Sequence, residues 1–142
     1  MPASHPSDLR ERVFEFVCAV VVFCRELSKE TGVDRQIAWQ PAAAATSVGS
    51  NLEEAKAAYS RRDFAAKNAI SLKEAREALY WLRVIERCHL APAERVQPLL
   101  LEANELTAML TAGMKRLRPV ALRILSAIAF TAFLIQVLSS EF

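Results

Sequence analysis

Asn51 and Glu54 stand three residues apart with Glu53 beside them, in a segment otherwise rich in small residues. On a helix that spacing brings their side chains together within one turn, a cluster that could move a proton or hold a cation. The chemistry is incomplete. Di-iron bundles use a Glu-x-x-His pairing, and the two histidines here, His5 and His89, have no histidine at ligand spacing. Asn51 and Glu54 are therefore read as hydrogen-bonding groups for the ends or faces of neighbouring helices, with Arg76 and Tyr80 as candidate partners. No Ser or Cys lies in a strand-turn-helix elbow, and no glycine-rich stretch could cradle phosphates. Neither an enzyme, a metal site nor a cofactor is expected.

Cys18, Cys24 and Cys88 are odd in number and lack Cys-x-x-Cys spacing. They read as reduced, buried thiols of a cytoplasmic protein. The first residues do not resemble a signal peptide, since Arg10, Glu11, Arg12 and Glu15 interrupt the apolar run.

Cations supply a second chemistry. Arg61 and Arg62 form one pair, and Lys115, Arg116, Arg118 and Arg123 form a second cluster. The formal net charge of +2 excludes a binder driven by bulk charge alone. Local density leaves two readings open: solvated charges placed favourably at a helix C-terminus, or contacts to the phosphates of RNA or DNA. Trp39, Tyr80 and Trp81 could stack on bases, but at helical spacing they read first as packing in the core or between subunits.

The elements that must position these groups are helices. The 142 residues are 53% hydrophobic with only three glycines, which fits one compact all-α domain. Asp8 with Glu11 makes a capping box for a first helix whose stripe is Leu9, Val13, Phe16, Val20, Phe23 and Leu27, and Gly32 is expected to end it. Val17, Cys18, Ala19, Val21, Val22 and Cys24 make this helix apolar nearly all round, more than one bundle requires, so a second subunit is expected against it.

A second helix carries Ile37, Ala44, Ala45, Val48, Leu52, Ala55 and Tyr59, with Pro41 breaking its first turns so that it is secure from Ala42. Ser60 with Asp63 caps a third, whose inward face is Ala65, Ala69, Leu72, Ala75, Leu79, Leu82 and Ile85. Pro92 opens a fourth, with Val96, Leu99, Ala103, Leu106, Leu110, Gly113 and Leu117. Short connections imply an antiparallel up-down-up-down four-helix bundle over residues 1–118. Residues 119–142 read as an extra apolar C-terminal helical tail. Its uncharged run from Ile124 to Leu138 is shorter than the roughly 20 residues of a membrane span. Packing on the bundle or between subunits is the first reading of the tail, and a membrane surface the second.

Gln40, Ala44, Ala45, Ser47, Val48, Asn51 and Glu54 fall at the spacing Gln-x-x-x-Ala-Ala-x-Ser-Ile-x-x-Asn-x-x-Glu. Arg62-Asp63-Phe64-Ala65-Ala66-Lys67, Ser71-Leu72-Lys73-Glu74-Ala75 and Glu77-Ala78-Leu79-Tyr80-Trp81-Leu82 continue the pattern. From roughly Asp8 to Leu117 the chain thus resembles the proteins encoded in 23S ribosomal RNA intervening sequences, which are also similar to the accessory variability proteins of diversity-generating retroelements. The motif residues Gln40, Ser47, Asn51, Glu54, Asp63, Phe64, Glu77 and Trp81 are read as structural. The resemblance implies a ring-like homopentamer without catalytic activity, and in the retroelement relatives a role in binding a reverse transcriptase and nucleic acid. Where that family usually carries Leu and one or two Arg after the Gln, this chain has Pro41-Ala42-Ala43, so basic residues expected on this helix are absent. The expected function is a non-enzymatic oligomeric scaffold or adaptor for nucleic acid or a nucleic-acid enzyme. The alternative is a structural self-assembling protein that binds another protein or a membrane surface through its tail.

Overall fold

The computed structural model describes residues 8–117, together with Thr131 and Gln136, both helical and exposed. Among the described residues the secondary structure is four long helices and no strand: α1 (Leu9–Leu27), α2 (Val33–Lys56), α3 (Arg61–Arg87) and α4 (Ala93–Leu117). Each packs on the next, and α4 also packs on α1. The expected fifth helix, with Arg118 and Arg123, lies outside the described residues.

Local chemistry accounts for the helix ends. The Asp8 carboxylate accepts from the Arg10 N–H at 3.1 Å and starts α1. Ser60 accepts from the Asp63 N–H at 3.1 Å and starts α3, while the Asp63 carboxylate reaches back to the Tyr59 N–H at 3.2 Å. Two orphan donors are thereby satisfied reciprocally. At the end of α3 the chain enters the left-handed region at His89 (φ 55°). The Leu90 N–H then donates to Ile85 O at 3.0 Å and the His89 N–H to Glu86 O at 3.1 Å, a Schellman closure with histidine where glycine is usual.

Two boundaries differ from the sequence reading. Gly32 does adopt positive φ (70°), yet it precedes α2 rather than ending α1. Helix α1 stops at Leu27 because the following turn satisfies its last carbonyls, through Ser28 N–H to Cys24 O, Lys29 N–H to Glu26 O and Glu30 N–H to Leu27 O. Pro41 does not delay α2, which is already helical from Val33. The proline removes one backbone donor, but its ring is fully buried, and that apolar burial offsets the lost bond.

The core follows the expected stripes. Val13, Val20, Val48, Leu82, Ile85, Val96 and Leu106 are all at most 1% exposed. Burial of a side chain such as Leu82 contributes about 1.5–3 kcal/mol. Between α2 and α3 the buried residues are small: Ala44, Ala45 and Val48 on one helix, Ser71, Ala75 and Ala78 on the other. They allow an approach close enough for the Ser71 hydroxyl to donate to the Val48 carbonyl at 3.1 Å. Tyr59, placed in the α2 stripe by its spacing, is instead 99% exposed, because α2 ends at Lys56 and the helical register no longer applies. Gly113 likewise stands exposed in the last turns of α4.

Candidate functional site

Gln40, Ser47, Asn51 and Glu54 are seven, four and three residues apart, so they form one polar stripe along α2. Ser47 and Asn51 are half-buried, whereas Gln40 and Glu54 are exposed. The Asn51 amide donates to the Ser47 carbonyl at 2.9 Å and lies 3.4 Å from the Ser47 hydroxyl. Its partners are thus on its own helix, not on a neighbour as the sequence suggested. A short amide reaches back one turn more readily than it crosses a seam floored by alanines.

Glu54 does cross to α3, where it forms an ion pair with Lys67 and holds that ammonium above the usual lysine range through its hydrogen bond and charge. Arg76 and Tyr80 are exposed and are bonded to neither Asn51 nor Glu54 in the structure. On α3, the Trp81 indole N–H donates to Glu77 at 3.3 Å, and its ring meets Tyr80 edge-on at 5.2 Å. Phe64 is 39% exposed, and its carbonyl accepts from the Asn68 amide at 2.8 Å. On α3 these side chains bond to close neighbours, and Tyr80 also lines a cleft of about 610 Å³ with Arg83, Arg87 and Cys88. Among the described residues no group of three or more His, Cys, Asp or Glu is arranged to hold a metal ion.

The cations occupy terminal turns. Arg61 and Arg62 are exposed in the first turn of α3, and Lys115 and Arg116 are exposed in the last turn of α4. Arg118 and Arg123 lie outside the described residues.

The excess apolarity of α1 is real surface. Phe14, Val21 and Val22 are 59%, 40% and 50% exposed, and Trp39 on α2 is 67% exposed. Phe14, Val17, Thr46 and Gly49 line a cleft of about 550 Å³ between α1 and α2. Cys18, Ala19 and Val22 line a second of about 470 Å³ on the α4 side of α1. The expectation of three buried thiols holds for Cys24 alone: Cys18 and Cys88 are exposed, since neither falls on a core stripe. Burial pushes the Cys24 thiol up to about 12.

Sequence reasoning missed what closes α1 against α4. Arg12, largely buried, donates from Nε and Nη2 to the two carboxylate oxygens of Glu102, at 2.6 and 2.8 Å. It also pairs with Glu105 and touches Met109 Sδ at 3.4 Å. The hydrogen bonds it donates to Glu102, then to Glu105, hold this guanidinium above its ordinary range. Arg95 lies over the Phe23 ring at 5.7 Å on the same seam. The available signal was the pair Glu102 and Glu105, three residues apart beside the α4 stripe, but nothing in the sequence says which cation they meet.

Four long helices packed on one another, with no strand among the described residues, define an all-α class of protein. Residues 7–112 match the 23S rRNA-intervening sequence proteins, and the chain belongs to that family. It is also similar to a crystal structure, at 1.70 Å resolution, of a protein with unknown function from the S23 ribosomal protein family of Bacteroides thetaiotaomicron VPI-5482. The two share 31% identity with a TM-score of 0.67 over 76% of this chain and 99% of that one. No curated protein matches the chain.

Proposed function

We propose that the protein is a non-enzymatic scaffold, an antiparallel up-down-up-down bundle assembled into a ring-like homopentamer that contacts nucleic acid or a nucleic-acid enzyme such as a reverse transcriptase. Contacts between helix ends support the topology. Glu86 near the end of α3 meets Gln97 near the start of α4, Lys67 early in α3 meets Glu54 late in α2, and Arg12 early in α1 reaches Met109 late in α4. In such a bundle Lys56, Arg61, Arg62, Lys115 and Arg116 share one end.

The observation that carries the reading is the placement of Arg61 and Arg62. Lys115 and Arg116 sit at a helix C-terminus, where cations stabilise the helix on their own account. Arg61 and Arg62 open α3, facing the positive end of its dipole, which costs about 0.3–1 kcal/mol per charge. A pair of cations held against the local field is explained by an external anion. Repetition around a ring would turn each cluster into a positive rim suited to phosphates. The apolar side of α1 bearing Cys18, Ala19 and Val22 supplies a surface for neighbouring subunits.

The test is retention of short RNA and DNA by the purified protein as salt is varied. Binding should weaken steeply with salt, and neutralising Lys115, Arg116 and Arg118 should abolish it. Neutralising Arg61 and Arg62 should weaken binding while leaving the protomer as stable or slightly more so. No retention at low salt overturns the nucleic-acid reading, and a monomeric native mass overturns the ring.

A further inference from the structure

We propose that the outward side of α3 is a track for single-stranded nucleic acid, with Tyr80 stacking on an unpaired base. This rests on the reading of the chain as one that contacts nucleic acid, and adds where a strand lies beyond the terminal cations. Arg62, Lys73, Arg76, Arg83 and Arg87 are all exposed. At about 100° per residue they fall within about 60° of the direction of Tyr80, opposite the buried Ser71, Ala75, Ala78, Leu82 and Ile85. The row runs about 37 Å from Arg62 in the first turn to Arg87 in the last.

The row differs from ordinary solvated charge. Arg10, Arg25, Lys29, Lys56 and Lys67 each meet an acid, whereas among the described residues Arg62, Lys73, Arg76, Arg83 and Arg87 are in no ion pair or side-chain hydrogen bond. The acids of α3 lie to the sides. Glu77 borders the row and accepts from the Trp81 indole, while Glu74 and Glu86 are half-buried and turned about 120° to either side of Tyr80. Glu86 is already bonded to Gln97. Lys73 with Arg76, and Arg83 with Arg87, are like charges one turn apart, a spacing that destabilises a bare helix and that a bound polyanion relieves. The aromatic ring selects the polyanion. Tyr80 is 57% exposed, and Trp81, itself held by Glu77, braces it edge-on at 5.2 Å. Beside the ring opens the cleft of about 610 Å³ that Arg83, Val84 and Arg87 also line, so a base laid on Tyr80 has guanidinium groups beside it for the adjoining phosphates. A duplex keeps its bases stacked inside, and an acidic peptide has none to offer.

Fluorescence anisotropy of the full-length protein with a labelled uridine oligomer, an abasic strand of the same length and a duplex tests this. The oligomer should bind most tightly. Tyr80→Ala should weaken it about tenfold, to the level of the abasic strand, and Tyr80→Phe should restore it. Arg76→Gln with Arg83→Gln should lower the slope of log affinity against log salt by about 1.4, the share of two single-strand phosphates. Arg10→Gln with Arg25→Gln, the same change in net charge away from the row, should leave the slope unaltered. An iodouridine strand should photo-crosslink at Tyr80. Binding by the unaltered chain that ignores the Tyr80, Arg76 and Arg83 substitutions, or crosslinks only at Trp39, overturns the track and leaves the reading of the terminal cations standing. Equal competition by polyglutamate of the same charge assigns the face to an acidic protein segment and overturns the proposal. No binding by the unaltered chain at low salt overturns both readings.

Discussion

The seam between α2 and α3 and the outward side of α1 solve opposite problems. At the seam, small residues bring two helices close, Ser71 finds the Val48 carbonyl, and Glu54 finds Lys67. Every buried side-chain polar atom among the described residues has a partner. On α1, Phe14, Val21 and Val22 remain in water, and the helix is fastened to α4 through Arg12. The first region is satisfied within one protomer; the second leaves large apolar side chains exposed. The difference shows that motif residues can form bonds within one protomer, as Asn51 and Glu54 do, while the exposed apolar side chains of α1 belong to no motif.

Four changes would break or sharpen this contrast. Leu82→Ala, on the core face of α3, should cost about 2–5 kcal/mol in urea unfolding, whereas Val22→Ala should leave protomer stability nearly unchanged and reduce native mass instead. Equal losses for the two would erase the distinction. Arg12→Ala should cost about 1.5–3 kcal/mol, because it removes charge-assisted bonds and leaves Glu102 and Glu105 without their common partner. Lys67→Ala, at the more exposed and solvent-screened Glu54 pair, should shift the urea midpoint less than Arg12→Ala does.

A smaller effect of opposite sign is expected at the α3–α4 connection. His89→Gly relieves a left-handed non-glycine residue and should stabilise by up to about 1 kcal/mol, read as a rise in Tm. The smallest effect is chemical. At pH 8 the Cys24 thiol, pushed up to about 12, stays protonated and buried and should resist labelling until unfolding. Cys88 should label at once. Cys18 should label as fast as Cys88 in a dissociated protomer and more slowly in an assembly, so the ratio of the two rates reports whether the α4 side of α1 is covered.

The degree to which the sequence could be read followed the range of the interaction. The stripe from Val13 to Leu27, the Ser60 cap and the α4 stripe were legible because periodicity and capping act within a few residues. Gly32 was recognised as left-handed but assigned to the wrong helix, since local chemistry says that a chain turns and not which element the turn serves. Pro41 misled for a related reason: the cost of a missing donor is visible in sequence, and the burial that offsets it is not. The sequence shows Asn51 as a hydrogen-bonding residue but not its partner, which is the Ser47 carbonyl one turn back on α2 and not a group on a neighbouring helix.

By itself the sequence determined a four-helix, all-α chain of the 23S rRNA-intervening sequence family, the residues of its core stripes and the excess apolarity of α1. Each of these is a property of spacing along one helix, where 3.6 residues per turn converts order into direction. Tertiary structure alone decided that Arg12 joins Glu102 and Glu105 across 90 or more residues, that Phe14 and Trp39 are exposed on the protomer while Cys24 is buried, and that the exposed side of α1 divides into two grooves. Those outcomes depend on which helix lies beside which, a choice made by the summed packing of the whole core and written in no single segment.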